Sequence, residues 1–156
     1  MQVRRAEEKD IPKMLDLLVQ VCNVHADGRP DLFVRDTTKY TADELAQIIR
    51  DDGRPVFVAD GGADAGVLGY AFCVRQNWDG NNATGVTTLY VDDICVDEAA
   101  RGKHVGTALY RHVIDFARQE GFHNVTLNVW SCNPVAQRFY EAMGMVSQKV
   151  TMEQVL

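Results

Sequence analysis

This chain lacks any long hydrophobic run. Its longest apolar stretch, Val67–Val74, covers 8 positions, far short of the ~20 that a membrane-spanning helix needs. The start, Met1-Gln2-Val3-Arg4-Arg5, passes straight into Glu7-Glu8-Lys9-Asp10 without the apolar centre of a secretory signal. A cytoplasmic protein without membrane contact is therefore expected. Only 4 prolines and 12 glycines exclude collagen-like and proline-rich chains. The 4 cysteines (Cys22, Cys73, Cys95 and Cys132) form no C-x-x-C pair, and each stands in an apolar or strand-like context that suits a buried thiol. The 4 histidines have no zinc-ligand spacing to each other or to the cysteines, so no metal is expected. Positive charge is in deficit, 16 Lys and Arg against 22 Asp and Glu, which speaks against nucleic acid as a partner.

What remains is ordinary globular material. With 156 residues, 46% of them hydrophobic and 24% charged, the chain is long enough to bury about 68–70% of its unfolded surface without disulfides or metals. One domain over residues 1–156 is expected.

Val3–Ala6 reads as a short strand, and Asp10 can cap a helix with Ile11, Met14, Leu15, Leu18, Val19, Cys22 and His25 on one face. Residues 26–40, with Gly28-Arg29-Pro30, look irregular. Thr41 followed by Glu44 is a capping box opening a second helix to Ile49. Arg54–Ala59, Val67–Arg75 and Gly85–Val96 are β-rich. Val105, Ala108, Leu109, His112, Val113, Phe116 and Ala117 then share one helical face, stopped by Gly121. Val125–Trp130 alternates as a strand, Asn133 caps a helix through Met143, and Val146–Leu156 has strand-like character. The pattern is α/β, with a β-α-β crossover across residues 86–130 whose strands should be parallel. A ligand is expected at the C-terminal ends of those strands, beside the next helix.

The informative stretch is Asp92-Asp93-Ile94-Cys95-Val96-Asp97-Glu98-Ala99-Ala100-Arg101-Gly102-Lys103-His104-Val105-Gly106-Thr107. A strand ends, a glycine-bearing loop turns and a helix begins. Free backbone N–H groups at the positive end of a helix dipole favour a phosphate, and Arg101 and Lys103 add charge. Neither a Walker A loop nor G-x-G-x-x-G is present.

This stretch resembles motif A of the GCN5-related N-acetyltransferases (GNAT), in which Gln or Arg is followed by glycines that cradle a pyrophosphate. Arg101 matches the first position and Gly106 the last, while His104 stands where the family usually has glycine. Histidine tolerates positive φ better than most residues. Asn133-Pro134-Val135-Ala136-Gln137-Arg138-Phe139-Tyr140-Glu141-Ala142-Met143-Gly144-Met145 is similar to a second segment of the family. The resemblance implies a single-domain mixed sheet flanked by helices, with acetyl-CoA and an amine acceptor as cosubstrates. The alternative is a CoA-binding module without turnover. Many relatives dimerise, so a homodimer is possible.

The same resemblance implies roles for particular residues. Tyr140 becomes the acid for the departing thiolate, and Asp92 or Asp93 becomes the carboxylate on the acceptor side. Consecutive strand residues point to opposite faces, so one of the two faces a given cleft unless a bulge undoes the alternation. Ile94, Cys95 and Val96 would bind pantetheine through their backbone, with Cys95 a structural thiol. Arg101, Gly102, Lys103, His104, Val105, Gly106 and Thr107 would hold the phosphates, and Asn133 would cap its helix and touch pantetheine. His25, Arg29, Asp31, Phe33, Trp78 and Trp130 are candidates for the acceptor pocket, whereas His112 reads as a packed residue.

Overall fold

The computed structural model describes residues 1–156. Its elements are β1 (Gln2–Arg5), α1 (Ile11–Gly28), α2 (Ala42–Ile49), β2 (Val56–Asp60), β3 (Val67–Asn77), β4 (Thr87–Val96), α3 (Val105–Gln119), β5 (Asn124–Leu127) and α4 (Pro134–Ala142). The strands form one sheet in the order β1-β2-β3-β4-β5. Antiparallel pairing runs from β1 through β2 and β3 to β4, the first pair joined across α1 and α2 and the other two as hairpins, and the crossover through α3 makes β4 and β5 parallel. This is the mixed sheet flanked by helices that the sequence leads one to expect.

Two cores sandwich the sheet. On one face Ile11, Met14, Leu17 and Leu18 of α1 and Leu45 and Ile48 of α2 pack on Val56, Val58, Tyr70 and Phe72. On the other, Val105, Leu109, Val113 and Ala117 of α3 cover Phe57, Ala71, Cys73, Leu89 and Val91. Burying these side chains, at about 1.5–3 kcal/mol each, is what holds helices to sheet. The start of α1 is pinned separately. Arg4 of β1 donates from both terminal nitrogens to Asp10, at 2.8 and 3.0 Å, and from Nε to Asp60 at 2.9 Å.

Several expectations need correction. In α1 the fully buried Leu17 joins the face, while Leu15 and Val19 are only partly buried. In α3, Tyr110 is buried and His112 only half so, meeting Phe57 edge-on with ring centroids 4.7 Å apart. Cys132 is exposed and Cys22 only partly buried, where both were expected inside. Cys132 lies against the end of α1, where a Cβ on Gly28 would stand 2.6 Å from its Sγ. β5 stops at Leu127, short of Trp130.

The C-terminal segment 146–156 has no regular structure. Its alternating Val146, Val150 and Met152 are exposed, because a strand needs a neighbour for its backbone groups and no strand lies alongside. One hydrogen-bonded side chain ties this segment down: Glu153 accepts two hydrogen bonds from Arg29.

Candidate active site

The site begins where two parallel neighbours part. β4 and β5 share register from Thr88–Asn124 to Val91–Leu127. Beyond that point β4 runs on to Val96, paired only on its β3 side, from Phe72–Asp93 to Gly69–Val96. Alternate N–H and C=O groups of an antiparallel ladder point away from the partner strand. Residues 92–96 therefore offer backbone hydrogen-bonding groups on the side that β5 has left.

A bulge re-aims the side chains at this point. Phe72 pairs with Asp93 and Cys73 with Val91, so Asp92 is one extra residue in β4. Leu89 and Val91 pack on the α3 face, yet so do Ile94 and Val96, while Cys95 packs on the α1–α2 face. Both acidic side chains end on the α1–α2 side. Asp92 Oδ2 accepts from Lys39 Nζ at 2.7 Å and from the Tyr40 hydroxyl at 3.0 Å. Asp93 Oδ2 accepts from the Tyr70 hydroxyl at 2.8 Å. The two tyrosines flank Phe72, with ring centroids 5.8 and 4.7 Å from it. Burial pushes the Asp93 carboxyl up to about 6, against the pull of the Tyr70 hydrogen bond.

Beyond β4 a short loop leads into α3. Asp97 holds it by accepting from the Ala99 amide at 2.9 Å and by pairing with Lys13, and Gln20 accepts from the Glu98 amide at 3.0 Å. Gly102 (φ 77°) and His104 (φ 61°) are both left-handed, so the histidine takes the backbone shape that glycine would have taken. His104 occupies the N-cap of α3 without a side-chain cap. As a result the amides of Gly102, His104, Val105, Gly106 and Thr107 donate to no protein acceptor. Five such groups at a helix N-terminus suit the pyrophosphate of a coenzyme. Arg101, Gly102, Lys103 and His104 are exposed around them, and Lys103 Nζ is turned back onto the Ala99 carbonyl at 3.0 Å.

α4 closes the far side. Asn133 caps it, accepting from the Ala136 amide at 3.1 Å. Phe139 lies beside Gly106, and Tyr140 packs against Tyr110 with centroids 6.3 Å apart. The Tyr140 ring is half-buried, packed between Tyr110 and Phe139, and its hydroxyl is in no side-chain hydrogen bond. Burial, then the nearby Asp93 charge, raises its pKa well above the ordinary phenol value, so it keeps its proton at neutral pH. Cys95 is buried and pushed up to about 12 by that burial, a poor nucleophile.

Five of the six acceptor-pocket candidates come together. His25 stacks on Phe33 at 5.0 Å, Phe33 meets the edge of Trp130 at 5.6 Å, and the Arg29 guanidinium lies 5.8 Å over Trp130. Asp31 and Glu153 hold Arg29 from outside. Trp78 does not join them. It sits by the β3–β4 hairpin, at the opposite end of β4, lining a cavity of about 230 Å³ with His123, Asn124 and Gln148. Lys39, Tyr40 and Tyr70 belong to no motif, and sequence reasoning passed over all three. The sole pointer is that Lys39 and Tyr40 immediately precede the α2 capping box.

Residues 18–145 match the acetyltransferase (GNAT) family. The chain is 30% identical over 161 residues to a probable glucosamine 6-phosphate N-acetyltransferase 2 of Oryza sativa subsp. japonica, a match covering 97% of this chain and 85% of the relative. A streptothricin acetyltransferase of Streptomyces lavendulae is 35% identical over 83 residues, or 53% of this chain and 40% of its own. Among solved structures, a tetramutant of the BH1408 protein from Bacillus halodurans superposes with a TM-score of 0.93 at 25% identity, over 100% of both chains. With the family match spanning most of the sequence, this chain belongs to the acetyltransferase (GNAT) family and is an acetyl-CoA-dependent N-acetyltransferase.

Proposed function

We propose that this enzyme moves the acetyl group of acetyl-CoA directly onto a primary amine of a small molecule. The observation that carries this reading is the run of unpartnered amides at the start of α3, opening toward the parting of β4 and β5. Tyr140, whose hydroxyl has no protein partner, lies near enough to Asp93 for that carboxylate's charge to raise the phenol further, which supports an acid and a carboxylate serving one site. The family relatives named for glucosamine 6-phosphate and streptothricin support a polar small-molecule amine, and the acidic chain fits a cationic acceptor.

In this reading each residue answers one chemical demand. An aliphatic ammonium, with pKa near ~10.4, must give up a proton to attack. Asp92 binds that ammonium, and Asp93, pushed up to about 6, takes or relays its proton. The splayed backbone of Ile94, Cys95 and Val96 holds the pantetheine arm and gives an N–H to the carbonyl oxygen as charge builds there. Tyr140 donates its proton to the leaving thiolate, whose own pKa is near ~8.5. The amides of Gly102 and of His104 to Thr107, with Arg101 and Lys103, hold the phosphates, and Asn133 fixes the start of α4. His25, Arg29, Phe33 and Trp130 form the outer wall for the acceptor.

Calorimetric titration with acetyl-CoA, with dephospho-CoA and ATP as controls, tests the reading. Micromolar binding of acetyl-CoA, followed by thiol release with members of an amine panel, is the expected result. Absence of binding at millimolar ligand overturns it.

A further inference from the structure

Lys39 brings a primary ammonium of the chain itself to the acceptor side of the site. It lies just before α2, and its Nζ donates to Asp92 Oδ2 at 2.7 Å, sharing that oxygen with the Tyr40 hydroxyl at 3.0 Å. Its side chain is half exposed, whereas that of Asp92 is only 19% exposed. The ammonium therefore reaches inward from the rim to the bulge where β4 and β5 part. Burial disfavours its charge, but the Asp92 hydrogen bond prevails and holds its pKa above the ordinary value. None of the other lysines is placed in this way. Lys9 pairs with Glu7 and Lys13 with Asp97, Lys103 binds the Ala99 carbonyl, and Lys149 lies in the exposed C-terminal segment.

We propose that Lys39 is a self-acetylation site, its ε-amine taking the place of the external acceptor. This rests on the transferase reading above. The ammonium passes one proton through Asp92 to water, and the freed Nζ lone pair forms a bond to the thioester carbonyl carbon. The C–S bond breaks, the sulfur takes the Tyr140 proton, and the second nitrogen proton leaves to solvent as Tyr140 is reprotonated. The products are N-acetyl-lysine, CoA thiol and one released proton, with no change of oxidation state. The amide that results carries no charge. It leaves Asp92 without its internal cation and open to the ammonium of an external acceptor.

The test is to incubate the full chain with acetyl-CoA and follow it by intact mass and peptide mapping. Heat-unfolded protein, Lys39→Arg and Asp92→Asn serve as comparisons, and protein concentration is varied. One added acetyl group mapped to Lys39, formed at a rate independent of protein concentration, is expected. It should be absent from Lys39→Arg and from unfolded protein, and at least tenfold slower in Asp92→Asn. Acetylation spread over all lysines at the unfolded rate, or a rate rising with protein concentration, overturns the proposal. So does an unmodified Lys39 in protein that binds acetyl-CoA by calorimetry, and that result leaves the transferase reading standing. Failure to bind acetyl-CoA at all removes both.

Discussion

Asp92 and Asp93 are consecutive in β4, yet both carboxylates lie on the sheet face covered by α1 and α2, one on Lys39 and Tyr40, the other on Tyr70. Regular pleating would have sent them to opposite faces. The single inserted residue between Val91 and Asp93 makes a two-carboxylate site from a stretch of strand that would otherwise supply one. The same residue ends the register with β5, so the opening and its acidic lining share one cause.

The environment of Asp93 should be visible in stability. Its carboxyl is raised from 3.8 to about 6, first by burial, so the folded protein holds this proton more tightly than the unfolded chain does. The contribution is favourable at low pH and is lost as pH climbs from about 4 to about 6. Above that window the charged form costs up to about 3 kcal/mol. Asp93→Asn, whose oxygen can still accept from Tyr70, is expected to be more stable than wild type at neutral pH. The difference should shrink below about pH 4. Urea midpoints measured across that range check it, and equal midpoints at neutral pH would contradict the burial cost.

Tyr140→Phe should separate chemistry from binding. The ring packs on Tyr110 and Phe139, and the variant keeps that packing while removing only the proton donor. Turnover is expected to fall roughly 10²- to 10⁴-fold, with acetyl-CoA affinity by calorimetry within a few-fold of wild type. Unchanged turnover would remove Tyr140 from the acid role.

Two left-handed positions in the α3 entry loop predict substitutions of opposite sign. His104 adopts φ 61° and Gly102 φ 77°, and a Cβ at Gly102 would meet open space. Conformation alone is therefore at stake. His104→Gly should stabilise and Gly102→Ala destabilise, each by ~1 kcal/mol. Thermal melts of the two variants, run side by side, are the measurement.

Gly69 answers to a different constraint, close approach. A Cβ there would stand 2.6 Å from the Cys95 carbonyl oxygen and 3.1 Å from Leu109 Cδ1. Gly69→Ala is expected to cost about 1–3 kcal/mol. It should also weaken acetyl-CoA binding, since it pushes β3 away from the part of β4 that lines the opening. A variant of normal stability and affinity would show that the strands can yield.

Much of the fold was legible because its signals are local. The Thr41–Glu44 capping box forms as expected, the Glu44 amide donating to Thr41 Oγ1 at 3.3 Å and the Thr41 amide to Glu44 Oε2 at 2.7 Å. The helix positions and the parallel crossover likewise follow from periodicity, although the buried faces of α1 and α3 differ from it at Leu17 and Tyr110. The bulge at Asp92 was not readable, because it exists only in the register between two strands. Lys39, Tyr40 and Tyr70 escaped notice for a related reason, as they meet Asp92 and Asp93 through the fold and not through spacing. The 146–156 segment misled in the other direction. Its alternation is genuine, but pairing needs a second strand, and β5 is only 4 residues long. His25, Arg29, Phe33 and Trp130 stood in segments about a hundred residues apart in sequence, and only the folded chain makes them neighbours.

The parting of β4 and β5 means that the sheet is left unfinished at the place where we propose that cosubstrate binds. A pantetheine arm carries amides of its own and would be received there much as another strand is received, so cosubstrate becomes a temporary piece of the architecture. Saturating acetyl-CoA at a hundred times its dissociation constant should then add about 2.7 kcal/mol to the unfolding free energy. The slowing of amide exchange should concentrate at residues 92–96 and 102–107 and fade toward β1.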